Sequence, residues 1–451
     1  MKIYQLILLT TLLFIALFYN ENIGLNLGIL GIAYALLLLF KTPERNRTRT
    51  FLIIFVTSIF SSFAFAYYGD FPSFLAVLSS IFLLAFKSKN KDLKSLLIFP
   101  VFVINFIIFI YRFFKFDEWL PKRNSSGTLQ KFISVILIPA FFIIVFFGIY
   151  ALGSDHFANV FNDFEFKFNF WEFVFLSCLG FFIAFNIWNF RIENFFYKQS
   201  DLLENNFKND FKIEKPTYSF MDINAERTSG IVSFFALNIL LLIFIFTFNY
   251  EQFVEFAKTP NQLSAETHER VNAVILSILM AIVVILFYFK GNFNFDKKAR
   301  SLKILAKIWI FLNIVLVISA MTKNAEYCMN LGLTYKRLGV FCFLILSIIG
   351  LLITFYKIQK KKTNAFLFNQ MIWSFYGTIL ICSFVNWGNI ATYYNIVNKK
   401  GNYQFLNSMN FNDDLLLKNF PKEKSGIFNY NKQLNDDATF LSKTLYYETL
   451  K

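Results

Sequence analysis

The stretch LGVFCFLILSIIGLLITFY, residues 338–356, decides the fold class because it contains no charged side chain. A helix that crosses a bilayer needs about 20 mostly apolar residues, and this stretch meets that requirement. Basic residues bound it at both ends, with Lys336 and Arg337 before it and Lys357 after it. The stretch therefore predicts a membrane-spanning helix.

Apolar runs of similar length recur along the chain. Hydrophobic residues make up 56% of the 451 residues and charged residues only 16%, which is far less charge than a soluble domain of this size carries. The pattern predicts an all-α, polytopic transmembrane helix bundle. The candidate spans are Ile3–Tyr19, Ile23–Phe40, Phe51–Tyr68, Phe71–Phe86, Leu96–Phe114, Phe132–Leu152, Trp171–Phe190, Gly230–Phe248, Val271–Phe289, Ile304–Met321, Leu338–Tyr356 and Phe366–Trp387.

The charge of each loop predicts the side of the membrane that it faces. Lysine and arginine are concentrated in the loops at 41–49, 87–94, 290–300 and 357–362, whereas the intervening loops carry mainly Asp and Glu. Cytoplasmic loops of membrane proteins carry an excess of Lys and Arg. We therefore expect the N-terminus inside and the C-terminal tail outside. The same rule accounts for the net charge of +15, so no nucleic acid is expected as a partner.

One run conflicts with this alternation of sides. If every run crossed, the basic loop at 87–94 and the acidic loop at 155–165 would face the same side. Leu96–Phe114 is the weakest candidate, because Pro100 interrupts it and Arg112 lies within its last turn. We predict that this run is an interfacial or re-entrant helix, which leaves about eleven crossings in the bundle.

The hydropathy pattern divides the chain into four parts. We expect N-terminal membrane helices over 1–190, a cytoplasmic polar loop over 191–229, C-terminal membrane helices over 230–397 and an extracytoplasmic tail over 398–451. The start of the loop has no Gly or Pro, so it is compatible with a continuation of the preceding helix. The tail has the periodic Leu and Phe residues of one or two short amphipathic helices, which we expect to pack on the outer end of the bundle.

Polar residues gather at three outer positions, of which the first is ETHERVN, residues 266–272. His268 lies close to two carboxylates there, and a histidine in such a setting can accept a proton or sense pH. His268 and Glu269 are therefore candidate catalytic residues. An ordinary charged helix start, with Thr267 as the cap, explains the same residues and is the favoured interpretation.

The second cluster surrounds the segment GLTYKR, residues 332–337. It carries positive charge on the side where the positive-inside rule disfavours it, which suggests a specific use for that charge. One use is pairing with Glu266 and Glu269, and the other is binding of an anionic lipid headgroup or a sugar phosphate. The candidate binding residues are Lys323, Tyr327, Thr334 and Arg337.

The third cluster lies at the outer end of the last apolar run. Its candidate binding residues are Asn386, Asn389 and Asn395. Asparagine at membrane depth usually bonds to a neighbouring helix, so a purely structural interpretation stays open for all three.

Several kinds of site are absent from the sequence. The chain has no Walker A motif, no dinucleotide-binding glycine pattern and no nucleophile elbow. Its two histidines cannot form a multi-histidine metal site, so we expect no metal and no cofactor. The helix interiors are almost uncharged, which argues against an ion-coupled pump.

At the three polar clusters the chain resembles the bacterial multipass membrane proteins of the domain-of-unknown-function 4173 family, in the related 4153 group. The matching stretches are THERVN at 267–272, GLTYKR at 332–337 and the segment 386–395, and the tail at 403–417 fits as well. The resemblance covers roughly the second half of the chain. In place of the Asn-Pro usual in the family, this chain has Asn386-Trp387. The resemblance implies a bacterial inner-membrane location and carries no established activity.

Three functions remain compatible with the sequence. The chain is expected to be a non-enzymatic scaffold or envelope-regulatory component with an outer-facing polar cluster. The first alternative is a membrane-embedded enzyme that acts on a lipid-linked or anionic substrate, with His268 or Glu269 as the base and Lys323 and Arg337 holding phosphate. The second alternative is a permease for an amphipathic solute. Besides the lipid bilayer, the expected partners are an anionic lipid or sugar-phosphate ligand and an unidentified protein.

Overall fold

A computed structural model describes residues 1–120, 133–153, 169–208, 220–253, 260–422 and 432–450 of the chain. Within these residues the protein consists of helices and connecting loops, without strands. The helices are, in chain order, α1 (Ile3–Phe18), α2 (Leu25–Lys41), α3 (Arg49–Tyr68), α4 (Phe71–Lys89), α5 (Ile98–Ile107), α6 (Phe109–Phe113), α7 (Phe116–Trp119), α8 (Ile138–Gly153), α9 (Phe170–Trp188), α10 (Asn194–Leu202), α11 (Ile223–Phe253), α12 (Pro260–Tyr288), α13 (Arg300–Leu331), α14 (Tyr335–Gln359), α15 (Asn364–Phe384), α16 (Trp387–Val397), α17 (Tyr403–Asn407), α18 (Asp413–Asn419) and α19 (Leu445–Thr449).

The long helices confirm the prediction of an all-α, multipass membrane bundle. In the described part of the chain, eight helices are long and apolar enough to cross a membrane, namely α3, α4, α9 and α11 to α15. Helices α1 and α2 are shorter but also apolar. Each candidate span predicted from hydropathy coincides with helical residues in the structure.

Two apolar cores fill the bundle, one in each half of the chain. Helices α1–α4 and α9 surround the first core, in which Phe185 is fully buried, and α11–α14 surround the second, in which Leu316 is fully buried. Helix α15 joins the halves by packing on α3, α4 and α14. Its Tyr376 hydroxyl hydrogen-bonds Thr57 at 2.7 Å and Ser80 at 2.8 Å. Side-chain hydrogen bonds of this kind hold helices together in lipid.

One end of the bundle collects the loops that are rich in lysine and arginine, and we call it the basic end. Asn46 donates to the Ser88 carbonyl at 2.8 Å, which joins two of these loops. Lys362 donates to Asn206 at 2.5 Å, which joins two others. The loops predicted to share one side of the membrane therefore lie together. The basic end comprises the loops at 42–48, 89–97, 189–193, 203–208, 289–299 and 360–363.

The opposite end carries the C-terminal tail, and we call it the tail end. The backbone amide of Leu25 donates to the Lys443 carbonyl at 2.9 Å, so the tail contacts the loop between α1 and α2. The hydroxyls of Tyr67 and Thr449 lie 3.2 Å apart, so the tail also contacts the end of α3. The described residues of the tail pack on this end of the bundle, as expected from the sequence.

The run at 96–114 is broken rather than continuous. Helix α5 ends at Ile107 and α6 begins at Phe109, and both are too short to cross a bilayer. Asn105 donates to the Arg191 carbonyl at 2.8 Å, and Phe109 packs edge-on against Phe182. Phe182 lies in the half of α9 that adjoins the basic end, and Arg191 lies in the break that follows α9. The run predicted as one interfacial or re-entrant helix is therefore two short helices, and its failure to cross the membrane stays a prediction.

The expectation that the loop after residue 190 continues the preceding helix is wrong. Helix α9 ends at Trp188, and α10 begins only at Asn194. Three consecutive carbonyls in the break accept hydrogen bonds from other helices. Their donors are Arg112 to Asn189, Lys89 to Phe190 and Asn105 to Arg191. The long polar side chains of α4, α5 and α6 therefore replace the helical hydrogen bonds that α9 would otherwise continue.

Candidate functional site

The second and third polar clusters meet at the tail end, where α13 turns into α14. Gly332 makes this turn with φ of +84°, and an added Cβ would lie 2.6 Å from the Asn395 Oδ1 atom. The fully buried Asn395 amide accepts from the Leu333 amide at 2.6 Å and donates to the Leu333 carbonyl at 2.9 Å. Glycine is needed here because both the backbone conformation and the close approach exclude a side chain.

Arg337 is held inside the same cluster. Its guanidinium lies 3.9 Å from the centre of the Tyr327 ring and donates to the Gly332 carbonyl. Asn324 donates to the Arg337 carbonyl at 3.1 Å, and the Thr334 hydroxyl caps α14 by accepting from the Arg337 amide at 3.3 Å. Arg337 therefore stabilises the turn through its contacts with the Tyr327 ring and with the backbone.

Lys323 is buried, and its described partner is a residue that the sequence analysis missed. The Lys323 ammonium lies 3.0 Å from the Glu326 carboxylate, one turn further along α13. The spacing of three residues on a helix is the signal that would have found this pair. The expected pairing with Glu266 and Glu269 remains a prediction, because the side chains of those two residues lie outside the described part of the structure.

The first cluster does not open a helix. Helix α12 begins at Pro260, so Thr267 lies inside it and cannot be its cap, which corrects that expectation. The side chains of His268 and Glu269 lie outside the described part of the structure.

The third cluster starts a separate helix instead of ending the last span. Helix α15 ends at Phe384, and the Asn386 side chain caps α16 by accepting from the Asn389 amide at 2.9 Å. Asn386 also donates to the Phe411 carbonyl of the tail at 2.8 Å. Among the described residues, Asn389 takes part in this cap through its backbone amide. The single predicted run Phe366–Trp387 is therefore two elements, because Asn386 forms a new cap.

The tail lies in close contact with this cluster. An added Cβ on Gly388 would lie 1.8 Å from the Asn410 carbonyl oxygen. The Asn410 amide donates to the Tyr335 hydroxyl at 3.0 Å, and Asn412 donates to Thr392 at 2.6 Å. Residues 410–412 thus lie against the start of α14 and the first turns of α16. Nothing in the spacing of these asparagines along the sequence indicated this contact.

The far part of the tail reaches the N-terminal half of the bundle. The Ser442 hydroxyl accepts from the Asn22 amide at 2.8 Å, and both Ser442 and Thr439 donate to the Glu21 carboxylate. Tyr446 is buried against Phe411 and Tyr67. Burial, together with the charge of the nearby Asp413, raises the pKa of Tyr446, so its hydroxyl stays protonated at neutral pH.

The structure as a whole is that of a multipass α-helical membrane protein whose tail end is held together by internal hydrogen bonds. The chain belongs to the family described as a domain of unknown function, DUF4153, whose family model matches residues 6–415. The match extends through the N-terminal half, which the resemblance noted in the sequence did not cover. It confirms the 4153 group, whereas the narrower 4173 family is not confirmed. No curated protein and no solved structure matches the chain.

Proposed function

We propose that this protein is a non-enzymatic scaffold or envelope-regulatory component of the bacterial inner membrane. The observation that carries the proposal is the internal pairing of the polar cluster at the tail end. Lys323 pairs with Glu326, and Arg337 is held by Tyr327 and the Gly332 carbonyl. A substrate-binding site needs polar groups that are free to bind a ligand. In a purely structural cluster, the polar groups are paired with one another within the fold.

The course of the tail supports the same proposal. Its described residues bond to α14 and α16 through Asn410 and Asn412, and to the α1–α2 loop through Ser442. The tail thereby ties the two halves of the bundle together at one end. A tail that is held in one position presents a fixed surface to a protein partner.

We infer that the tail end faces outward and that the N-terminus faces the cytoplasm. The collection of the lysine-rich and arginine-rich loops at the opposite end supports this orientation, because cytoplasmic loops carry such residues in excess. A membrane-impermeant maleimide applied to intact cells tests it directly. The reagent is expected to label the variant Phe440→Cys, whose native side chain is 70% exposed, and to spare Arg45→Cys. The reverse pattern would overturn the orientation.

Complementation of a deletion strain under envelope stress separates the scaffold from the enzyme. We expect His268→Ala and Glu269→Gln to restore growth, since a scaffold needs no proton transfer at these positions. Arg337→Ala is expected to fail only to the extent that the protein disappears from the membrane, because the guanidinium is part of the internally paired cluster. Lys336→Ala, which changes the exposed neighbour of Arg337, is the matched control and should behave as wild type.

Membrane levels measured by immunoblot decide between the outcomes. If His268→Ala or Glu269→Gln accumulates normally and yet does not restore growth, the scaffold proposal is wrong, and lipid-linked intermediates should then be compared between the strains. If loss of growth follows loss of protein in every variant, the proposal stands.

A further inference from the structure

A cavity of about 610 Å³ lies at the basic end, away from the polar cluster of the tail end. It is bounded by the start of α1, the loop between α2 and α3, the end of α4 and the break after α9. Its volume falls in the range of roughly 300–1,000 Å³ that is typical of sites for small ligands. Neither the family description nor the function proposed above assigns a role to it.

The lining of the cavity is strongly cationic. It contains Lys41, Arg45, Lys89 and Arg191, against Glu193 as the single carboxylate among the lining residues that the structure describes. Lys41 and Lys89 donate to the carbonyls of Met1 and Phe190, which carry no net charge to balance them. Arg45 has no partner among the described residues. Arg191 is paired with Glu118, 2.8 Å away, whereas Lys41, Arg45 and Lys89 have no carboxylate partner among the described residues.

Buried donors without acceptors adjoin the same cavity. Arg112 is 1% exposed and Asn189 is 6% exposed. Within the described residues, the Nε atom of Arg112 and the Nδ2 atom of Asn189 have no hydrogen-bond partner. Asn189 lies in sequence between the lining residues Trp188 and Phe190, and its carbonyl accepts from Arg112. Neither Arg112 nor Asn189 is part of the lining, so these two donors do not themselves contact a ligand in the cavity.

Part of the remaining lining is apolar. Leu6, Leu38 and Ile187 contribute aliphatic surface, and Trp188 and Phe190 contribute aromatic surface. These residues occupy the last turns of helices α2 and α9, the first turns of α1, and the start of the break after α9. A ligand that combines an anionic head with an apolar tail matches a lining that combines cations with apolar residues at a membrane boundary.

We propose that this cavity binds the phosphate group of an anionic phospholipid, with the glycerol and acyl region against the apolar residues. Lys41, Arg45 and Lys89 are the groups that meet the phosphate, because Arg191 is already paired with Glu118. A phosphate offers several acceptor oxygens to lysine and arginine donors, whereas a zwitterionic headgroup brings its own compensating cation. The site is distinct from the outer cluster and does not depend on the scaffold proposal.

Native mass spectrometry of the full-length protein in detergent tests the proposal. Phosphatidylglycerol and phosphatidylcholine are titrated separately, and wild type is expected to retain phosphatidylglycerol preferentially. In Lys41→Ala/Arg45→Ala, two exposed cations are removed, and retention of phosphatidylglycerol should weaken about thirtyfold. The matched control is Lys297→Ala/Lys360→Ala, which removes two exposed cations from the same end but outside the cavity. It should retain the lipid as wild type does.

A single substitution keeps the test decisive if the double variant does not fold. Arg45→Glu reverses one exposed charge and should weaken phosphatidylglycerol retention more than Arg45→Ala does. Addition of millimolar glycerol 3-phosphate distinguishes a lipid-borne phosphate from a soluble one. Failure of glycerol 3-phosphate to displace the lipid supports the proposal. Full displacement by it, or equal loss of lipid in the cavity and control variants, would overturn it.

Discussion

The two ends of the bundle differ in their unpaired charge, although both contain ion pairs, and at the basic end Arg227 and Asp296 lie 2.7 Å apart. At the tail end, Lys323 has a carboxylate partner 3.0 Å away, and Arg337 is stacked on Tyr327 and bonded to backbone. At the basic end, Lys41, Arg45 and Lys89 line a cavity and are not matched by carboxylates. The tail end contains the conspicuous sequence motifs, whereas the basic end contains the unbalanced charge.

This difference separates residues that hold a fold from residues that are free to meet a ligand. A polar group that is fully paired within the fold stabilises it and offers little to a binding partner. The three motifs of the tail end belong mainly to the first kind in their described parts. The following predictions test that separation, beginning with the largest expected effect.

Gly388→Ala should be the most damaging small substitution at the tail end. The added methyl group would lie 1.8 Å from the Asn410 carbonyl oxygen. Because that oxygen belongs to the backbone, the tail itself must move. We expect a loss of about 3 kcal/mol or more in stability, measured as thermal unfolding in detergent. Gly377→Ala is the matched control, since no described atom lies within 4 Å of its added methyl group. Equal unfolding temperatures for the two variants would show that the tail does not pass where we place it.

Asn395→Ala should have the next largest effect. The buried amide makes two hydrogen bonds to the Leu333 backbone, and its removal leaves a buried donor and acceptor unsatisfied. The expected cost is about 2 kcal/mol, and the Leu333 amide should lose protection from hydrogen exchange. Asn398→Ala, which changes an exposed asparagine directly after the same helix, should change neither quantity measurably. Unchanged hydrogen-exchange protection of the Leu333 amide in Asn395→Ala would show that Asn395 does not stabilise the turn at Gly332.

Arg337→Lys should have a smaller but specific effect. Lysine keeps the positive charge and loses the planar group that lies over Tyr327. A double-mutant cycle with Tyr327→Leu isolates the contact, and we expect a coupling free energy of about 1 kcal/mol. Coupling within experimental error of zero would mean that Arg337 is free for a ligand, which would reopen the enzyme alternative.

The smallest effect is expected at the basic end. Lys94 lies 3.3 Å from Glu204, and the two side chains are 21% and 47% exposed. Water and salt screen such a pair, so Lys94→Ala should change stability by roughly 0.5 kcal/mol or less. A larger loss in the same detergent unfolding assay would mean that exposed charge pairs also stabilise the basic end, beyond the buried pair of Arg227 and Asp296.

Much of the fold follows from hydropathy, because lipid requires long uninterrupted apolar helices. The runs coincide with helical residues, and the basic loops group at one end of the bundle. The turn at Gly332 and the cap at Thr334 were also predictable, since each depends on a few neighbouring residues.

The remaining features depend on contacts between residues that are far apart in sequence. The break after α9 is held by Arg112 and Lys89, which lie on other helices. The path of the tail depends on the close approach of Asn410 to Gly388. Periodicity and local spacing carry no information about such contacts, so both the path of the tail and the cavity at the basic end required the structure.

Disulfide trapping between the tail and the α1–α2 loop tests the central claim most directly. The Asn22 amide donates to the Ser442 hydroxyl at 2.8 Å, so cysteines at these two positions are close enough to be bridged. With the four native cysteines replaced, Asn22→Cys/Ser442→Cys should form an intramolecular disulfide rapidly upon mild oxidation in membranes. The pair Arg45→Cys/Ser442→Cys, at opposite ends of the bundle, should not. Failure of the first pair to form a disulfide, in a protein that is present at normal levels, would contradict a tail that ties the two halves together.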